Sequence, residues 1–186
     1  RIEAGTYVIL GCLMGDHLRI TNMIPSHIEA LLLKLKEMDA DIQIGTDYVE
    51  VSRKDHLKPV KVKTLGYPGF ATDLQQPFTV LLTQAEGKSS VEETIYENRF
   101  QNVPYLNQMG ANIEQDGMSI YIHGKTELHA SDVVATDLRA GACLVLAGLT
   151  AEGVTTISKI DHVLRGYENI IEKLQGVGAK IEIEEI

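Results

Sequence analysis

Three kinds of apolar run recur along the chain in a fixed order. The first is continuous: residues 7–14 are apolar throughout apart from Gly11, a pattern open to either a buried strand or a buried helix. The later counterpart at residues 140–151 is rich in Ala and Leu and predicts a helix. The run at each equivalent place is therefore read as a buried helix. The second kind is β-branched, at residues 18–23, 90–95 and 154–160, and predicts strands. The third has helical period. Ile28, Leu31, Leu32, Leu35 and Met38 form one apolar stripe, and Ser26 with Glu29 has capping-box spacing at its start.

The order repeats because the sequence does. Leu35, Met38, Asp39, Ala40 and Ile42 match Leu106, Met109, Gly110, Ala111 and Ile113, and match again Leu174, Val177, Gly178, Ala179 and Ile181. A second marker precedes each copy at a similar offset: Gly15-Asp16, Glu86-Gly87 and Glu152-Gly153. The Asp or Gly before each alanine suits a helix stop. Alternating strands follow. Ile42, Ile44 and residues 48–51 flank Gly45-Thr46-Asp47, while Ile113 and residues 119–122 flank the hairpin signal Asp116-Gly117. Short strands at residues 60–64 and 128–134 lead into the next copy. The expected fold is α/β (α+β): a single domain of three βαβαββ units, about residues 1–61, 62–124 and 125–186. It is expected as an inside-out barrel, with the apolar helices buried centrally and sheets outside. Copy one lacks a leading strand and copy three a returning one, so both ends read as cuts in a longer protein.

Composition narrows the class. Apolar residues make up 44% and charged residues 23%, as in globular proteins. The apolar stretch at residues 7–14, like the others in the chain, is far below the roughly 20 residues of a membrane span. Net charge is −9, from 17 basic and 26 acidic residues, which disfavours nucleic acid and anionic membranes as partners. Any bound anion needs arginines gathered locally. Cys12 and Cys143 form no CxxC pair, which fits a reducing cytoplasm and two small buried hydrophobes. The histidines make no HExxH or similar motif, and there is no P-loop or GxGxxG, so neither a metal nor a cofactor is expected. Gly66-Tyr67-Pro68-Gly69 reads as a turn.

The candidate chemistry sits at repeat-equivalent places. Thr72-Asp73 and Thr136-Asp137 each stand before a buried helix, where helix capping is the plain reading. Arg99, in Asn98-Arg99-Phe100, and Arg165, in Arg165-Gly166-Tyr167, stand where the amphipathic helix is entered. An arginine at a helix start opposes the macrodipole, unless guanidinium and helix end together hold an anion. Arg139 adds a third guanidinium, two residues after Asp137. Packed together, these groups suit a phosphate- or carboxylate-bearing ligand, and an Asp there can accept a proton from a hydroxyl.

Four stretches carry a family resemblance: Tyr67-Pro68-Gly69-Phe70-Ala71-Thr72-Asp73-Leu74-Gln75, Ile95-Tyr96-Glu97-Asn98-Arg99-Phe100, Ala135-Thr136-Asp137-Leu138-Arg139-Ala140, and Arg165-Gly166-Tyr167-Glu168. In these, and over essentially its whole length, the chain resembles the UDP-N-acetylglucosamine 1-carboxyvinyltransferases, the enolpyruvyl transferases that open peptidoglycan synthesis. The resemblance implies a two-domain cytoplasmic enzyme of which this chain is the C-terminal domain. It moves the enolpyruvyl group of phosphoenolpyruvate to the sugar 3-hydroxyl and releases phosphate. It implies Asp73 as general base, Ile95 as a backbone contact to the UDP-sugar, and Arg99 and Arg165 on phosphoenolpyruvate. Asp137 falls near the carbon that gains and loses a proton, Arg139 in the same cluster, and Arg1 near the cleft. The family's reactive cysteine belongs to the other domain, and neither Cys12 nor Cys143 takes its place. Ala71 and Leu164 depart from the family's usual Pro and acidic residue. Alternatives are a sibling acting on shikimate 3-phosphate, which Glu97-Asn98-Arg99-Phe100 disfavours, and a non-catalytic module of the same fold. An RNA-end-processing relative is disfavoured by the acidic charge and by 5% aromatic content.

Overall fold

The computed structural model describes residues 1–185; Ile186, the end of the third predicted unit, lies outside the described residues. Three apolar helices fill the centre: α1 (Ile2–Met14), α3 (Thr72–Thr83) and α5 (Leu138–Thr150). Each packs against the other two. The continuous apolar runs are thus helices rather than strands, because a helix buried all round has no polar face to display. Phe78, Leu81 and Leu82 of α3 and Cys143 and Leu144 of α5 are fully buried.

A separate sheet covers each central helix. The strands β1 (Leu18–Ile20), β2 (Asp41–Ile44) and β3 (Val49–Ser52) form an antiparallel sheet over α1 in the order β1-β3-β2. The strands β4 (Lys61–Lys63), β5 (Gly87–Glu92), β6 (Ile113–Asp116) and β7 (Ser119–Gly124) lie over α3 in the order β4-β5-β7-β6, with β4 parallel to β5. Beside α5, β8 (Asp132–Val134) runs parallel to β9 (Thr156–Ser158). Helices lie inside and sheets outside as expected, but the three sheets are not joined into a closed barrel among the described residues. The predicted strands at 18–23 and 154–160 shorten to three residues each, because β1 and β9 are paired on one side only. β5 is paired on both sides and starts at Gly87, ahead of its predicted beginning.

The repeat markers share one local structure. Asp39, Gly110 and Gly178 all have positive φ. The N–H of the alanine that follows returns to the leucine carbonyl: Ala40 to Leu35 at 3.0 Å, Ala111 to Leu106 at 2.9 Å, and Ala179 to Leu174 at 2.9 Å. This is the Schellman stop, closed by a left-handed residue. Each of those leucines is buried.

Two expectations at helix starts are corrected. Pro25–Ile28 is a 3-10 turn, and α2 (Glu29–Glu37) begins after it with Ile28 as N-cap. Ser26 therefore lies inside the turn, and its capping box with Glu29 does not form. In the last copy the amphipathic helix is split into α6 (Asp161–Gly166) and α7 (Ile170–Gly176), separated at Asn169 with φ 50°. The corresponding helix of the middle copy is α4 (Val103–Gln108).

Candidate active site

The first turns of α3 and α5 bring the polar cluster together. Asp73 stands in the first turn of α3, but its side chain caps nothing, since Ala71 is the N-cap. Pro77 has no N–H, so the Asp73 carbonyl lacks its usual helical donor. The Asp73 carboxylate instead takes two guanidinium groups on one oxygen: Nε of Arg139 closely, and a terminal nitrogen of Arg99 at 3.3 Å. Partial burial pushes the Asp73 carboxyl up, but the hydrogen bonds and charges of Arg139 and then Arg99 outweigh it and hold the group below its ordinary value. Asp73 is thus a paired, charged carboxylate in this state.

Asp137 has the other role. It is the N-cap of α5, its Oδ1 accepting from the N–H groups of Arg139 at 2.8 Å and Ala140 at 2.9 Å. The plain capping reading therefore holds geometrically for Asp137 and fails for Asp73, although the two occupy equivalent places in the sequence. By capping α5, Asp137 also fixes the backbone from which Arg139 reaches Asp73.

Arg99 lies in the loop ahead of α4, 12% exposed, with its guanidinium 4.1 Å from the Tyr96 ring. A concavity of about 290 Å³ opens beside it, between residues 96–100 and the β6–β7 turn at Gln115, Gly117 and Met118. Ile95 is 42% exposed. Its N–H donates to the buried Glu93 Oε2 at 3.1 Å.

Arg165 and Arg1 do not join this cluster. Arg165 sits in the last turn of α6, exposed, donating to the Asp161 carbonyl and to His162 at 3.4 Å each. It stands at a helix end rather than a helix start, the placement the macrodipole favours, so the expected guanidinium at a helix N-terminus is not formed there. Arg1 lies over the Tyr67 ring at 5.2 Å, beside the turn that feeds α3. That turn closes through Gly69 N–H to the Gly66 carbonyl at 2.8 Å, as expected. Arg1 also lines a concavity of about 780 Å³ along the unpaired edge of β1, which touches none of Asp73, Arg99, Asp137 or Arg139. Size alone therefore does not mark the site.

Sequence reasoning missed the groups behind the cluster. Gln75 and Gln76 are fully buried in α3 and both donate to the Arg99 carbonyl, at 3.1 and 2.7 Å. Two adjacent glutamines inside an otherwise apolar helix were the available signal, because buried amides require partners. Tyr167 is buried too. Its hydroxyl meets Thr6 Oγ1 at 3.0 Å and ties α1 to the segment after α6. Burial pushes the Cys12 and Cys143 thiols up to about 12, so neither is a nucleophile. No group of three or more metal-ligating side chains occurs, and no helix is long and apolar enough to cross a membrane, among the described residues.

The arrangement of three sheets around three buried helices is shared with solved enolpyruvyl transferases. The enolpyruvyl transferase NikO from Streptomyces tendae superposes over 97% of this chain and 43% of its own, with TM-score 0.89 and 31% identity. An EPSP synthase from Acinetobacter baumannii shares the fold at TM-score 0.78 and 18% identity. The family model described as EPSP synthase (3-phosphoshikimate 1-carboxyvinyltransferase) matches residues 1–174, and the chain belongs to that family. Among curated relatives it is 50% identical to UDP-N-acetylglucosamine 1-carboxyvinyltransferase 2 of Shouchella clausii over 100% of its length, and 52% identical to that of Bacillus subtilis over 97%. It spans 44% and 42% of those two proteins, under half of each.

Proposed function

We propose that residues 1–186 form the C-terminal domain of a cytoplasmic transferase. The protein moves the enolpyruvyl group of phosphoenolpyruvate to the 3-hydroxyl of UDP-N-acetylglucosamine, the first committed step of peptidoglycan synthesis. The observation that carries this is identity of about half over the whole chain to transferases of that name, against 18% to the EPSP synthase. The domain comprises the three expected units. With the two shorter sheets completed to four strands like that over α3, they make an inside-out barrel. The other domain of the same protein closes the cleft and supplies the remaining anion ligands.

In the reaction the sugar O3–C2 bond forms, the C2–O bond to phosphate breaks, and inorganic phosphate leaves. Asp73 takes the hydroxyl proton, and Asp137 lies near the carbon that is transiently protonated. Arg99 and Arg139 bind the phosphoenolpyruvate anion, with Arg165 and Arg1 reaching the ligand on closure. Ile95 offers its backbone carbonyl to the UDP-sugar. The ion pairs to Asp73 give this scheme an order. While both arginines hold Asp73, they share its single negative charge and the carboxylate is a weak base. An incoming anion that draws the guanidinium groups away releases the base only when substrate is present.

The test is phosphate release by the full-length protein with phosphoenolpyruvate and each acceptor in turn. Turnover with UDP-N-acetylglucosamine and none with shikimate 3-phosphate is expected. The reverse preference, or no turnover with either, refutes the reading. Residues 1–186 alone are expected to be inactive, since orientation and water exclusion need both halves of the cleft.

A further inference from the structure

Glu93 follows β5 directly and is 1% exposed. Four donors converge on its two oxygens. Oε2 accepts from Thr64 Oγ1 at 2.5 Å and from the Ile95 N–H at 3.1 Å. Oε1 accepts from Thr72 Oγ1 at 2.6 Å and from Gln75 Nε2 at 3.4 Å. No cation pairs with Glu93 among the described residues. Burying an acidic side chain without a cation is costly, and an apolar residue would fill the space more cheaply. What an apolar residue cannot do is gather four donors from three separate pieces of chain: the residue after β4, the first turn of α3, and the loop after β5.

Each piece carries part of the site. Thr72 adjoins Asp73. The Ile95 N–H is held while the residue itself is exposed. Gln75 links Glu93 to the Arg99 carbonyl, which Gln76 grips as well. Thr64 Oγ1 in turn accepts from the Thr94 N–H at 2.9 Å. The loop at residues 94–99 is therefore pinned at both ends, by the buried Thr64, Glu93, Gln75 and Gln76.

We propose that Glu93 is a positioning residue of the transfer site: it sets the Ile95 backbone, the start of α3 bearing Asp73, and through Gln75 the backbone of Arg99. The proposal rests on the function given above and names a residue that acts through others. Glu93→Gln keeps the size but turns an amide toward one pair of donors, so either the Thr64–Ile95 side or the Thr72–Gln75 side loses its acceptor. Thr72→Val removes one donor and leaves Glu93 in place.

The experiment uses the full-length protein with steady-state kinetics for both substrates, thermal unfolding, and amide exchange at Thr94 and Ile95. Glu93→Gln should raise the UDP-sugar KM and lower kcat by about 10- to 100-fold, the scale of displaced catalytic groups. These losses should appear well below its unfolding temperature. Thr72→Val should move the same quantities less. Gly11→Ala, destabilising but remote in α1, serves as control with kcat unchanged. The Ile95 amide should be protected in the wild type despite its exposed loop, and lose protection in Glu93→Gln. Kinetic constants within twofold of wild type in Glu93→Gln overturn the proposal. So does a wild-type Ile95 amide that exchanges at the free-loop rate. That second readout holds even if the full-length protein transfers no enolpyruvyl group, an outcome that sinks the functional reading instead.

Discussion

Replacing Asp73 by Asn keeps the side chain's shape and removes the single negative charge that Arg99 and Arg139 now share. Two opposite effects follow. The variant loses its proton acceptor, so kcat in the full-length protein should fall by about two to four decades, the usual scale for a general base. The arginines, meanwhile, lose an internal competitor for the substrate anion. A hydrogen bond to a charged group contributes about 1.5–3 kcal/mol, but Asp73 is one-third exposed, and solvent screening brings the net for the pair to about 1 kcal/mol. Phosphoenolpyruvate affinity should therefore hold or tighten by up to about fivefold, since about 1.4 kcal/mol is one decade. The fold should lose about 1 kcal/mol, or about 2–4 °C in Tm. Because the native carboxyl lies below its unfolded value, that stability is fully present above about pH 4 and is lost as pH falls through the lowered native value. The wild-type and Asn unfolding curves should thus converge in acid. Calorimetric titration of phosphoenolpyruvate beside kcat decides the matter. An affinity that weakens in step with kcat would refute the idea that Asp73 and the substrate compete for the same arginines.

Arg99→Lys in the full-length protein should weaken phosphoenolpyruvate binding by roughly one to two decades although charge is kept, because an ammonium lacks the planar fork. Arg165→Lys should do the same only if Arg165 leaves its exposed place on α6, so an unchanged Kd there would exclude it from the anion site. Gly11→Ala should destabilise by about 1–3 kcal/mol in chemical denaturation, since the added Cβ would lie 2.0 Å from Val51 Cγ2; Gly11→Ala with Val51→Ala should recover part of the loss. Cys12 and Cys143 should resist a thiol reagent at pH 8 in the native state and react on unfolding, as mapped by mass spectrometry, because burial holds both near pKa 12. Rapid native labelling of either would show that its helix opens.

The sequence by itself determined what local chemistry and periodicity can decide. Three apolar runs became three buried helices once the copies were read together, since an Ala- and Leu-rich member settled the ambiguous one. The Leu–Asp/Gly–Ala markers are legible because each alanine N–H closes a left-handed helix stop, a local structure that needs only its own few residues. Asp73, Arg99 and Arg139 could be picked out as candidates by type and place. Their partners could not, because Asp73 and Arg139 lie far apart in the chain and meet only where α3 packs on α5. Tertiary structure also separated residues that the repeat had made equivalent. Asp137 caps its helix while Asp73 is the counterion of two arginines, because α3 starts at the Thr of its Thr-Asp pair and α5 starts two positions later, just after the Asp of its own. Arg99 is drawn inward by two buried glutamines, whereas Arg165 is carried outward on α6. Strand length followed pairing rather than propensity: β1 and β9 stop early where one edge has no neighbour, and β5 runs on between two. Periodicity reports which face of an element is buried; which side chain it meets there depends on contacts between distant segments that no local pattern encodes.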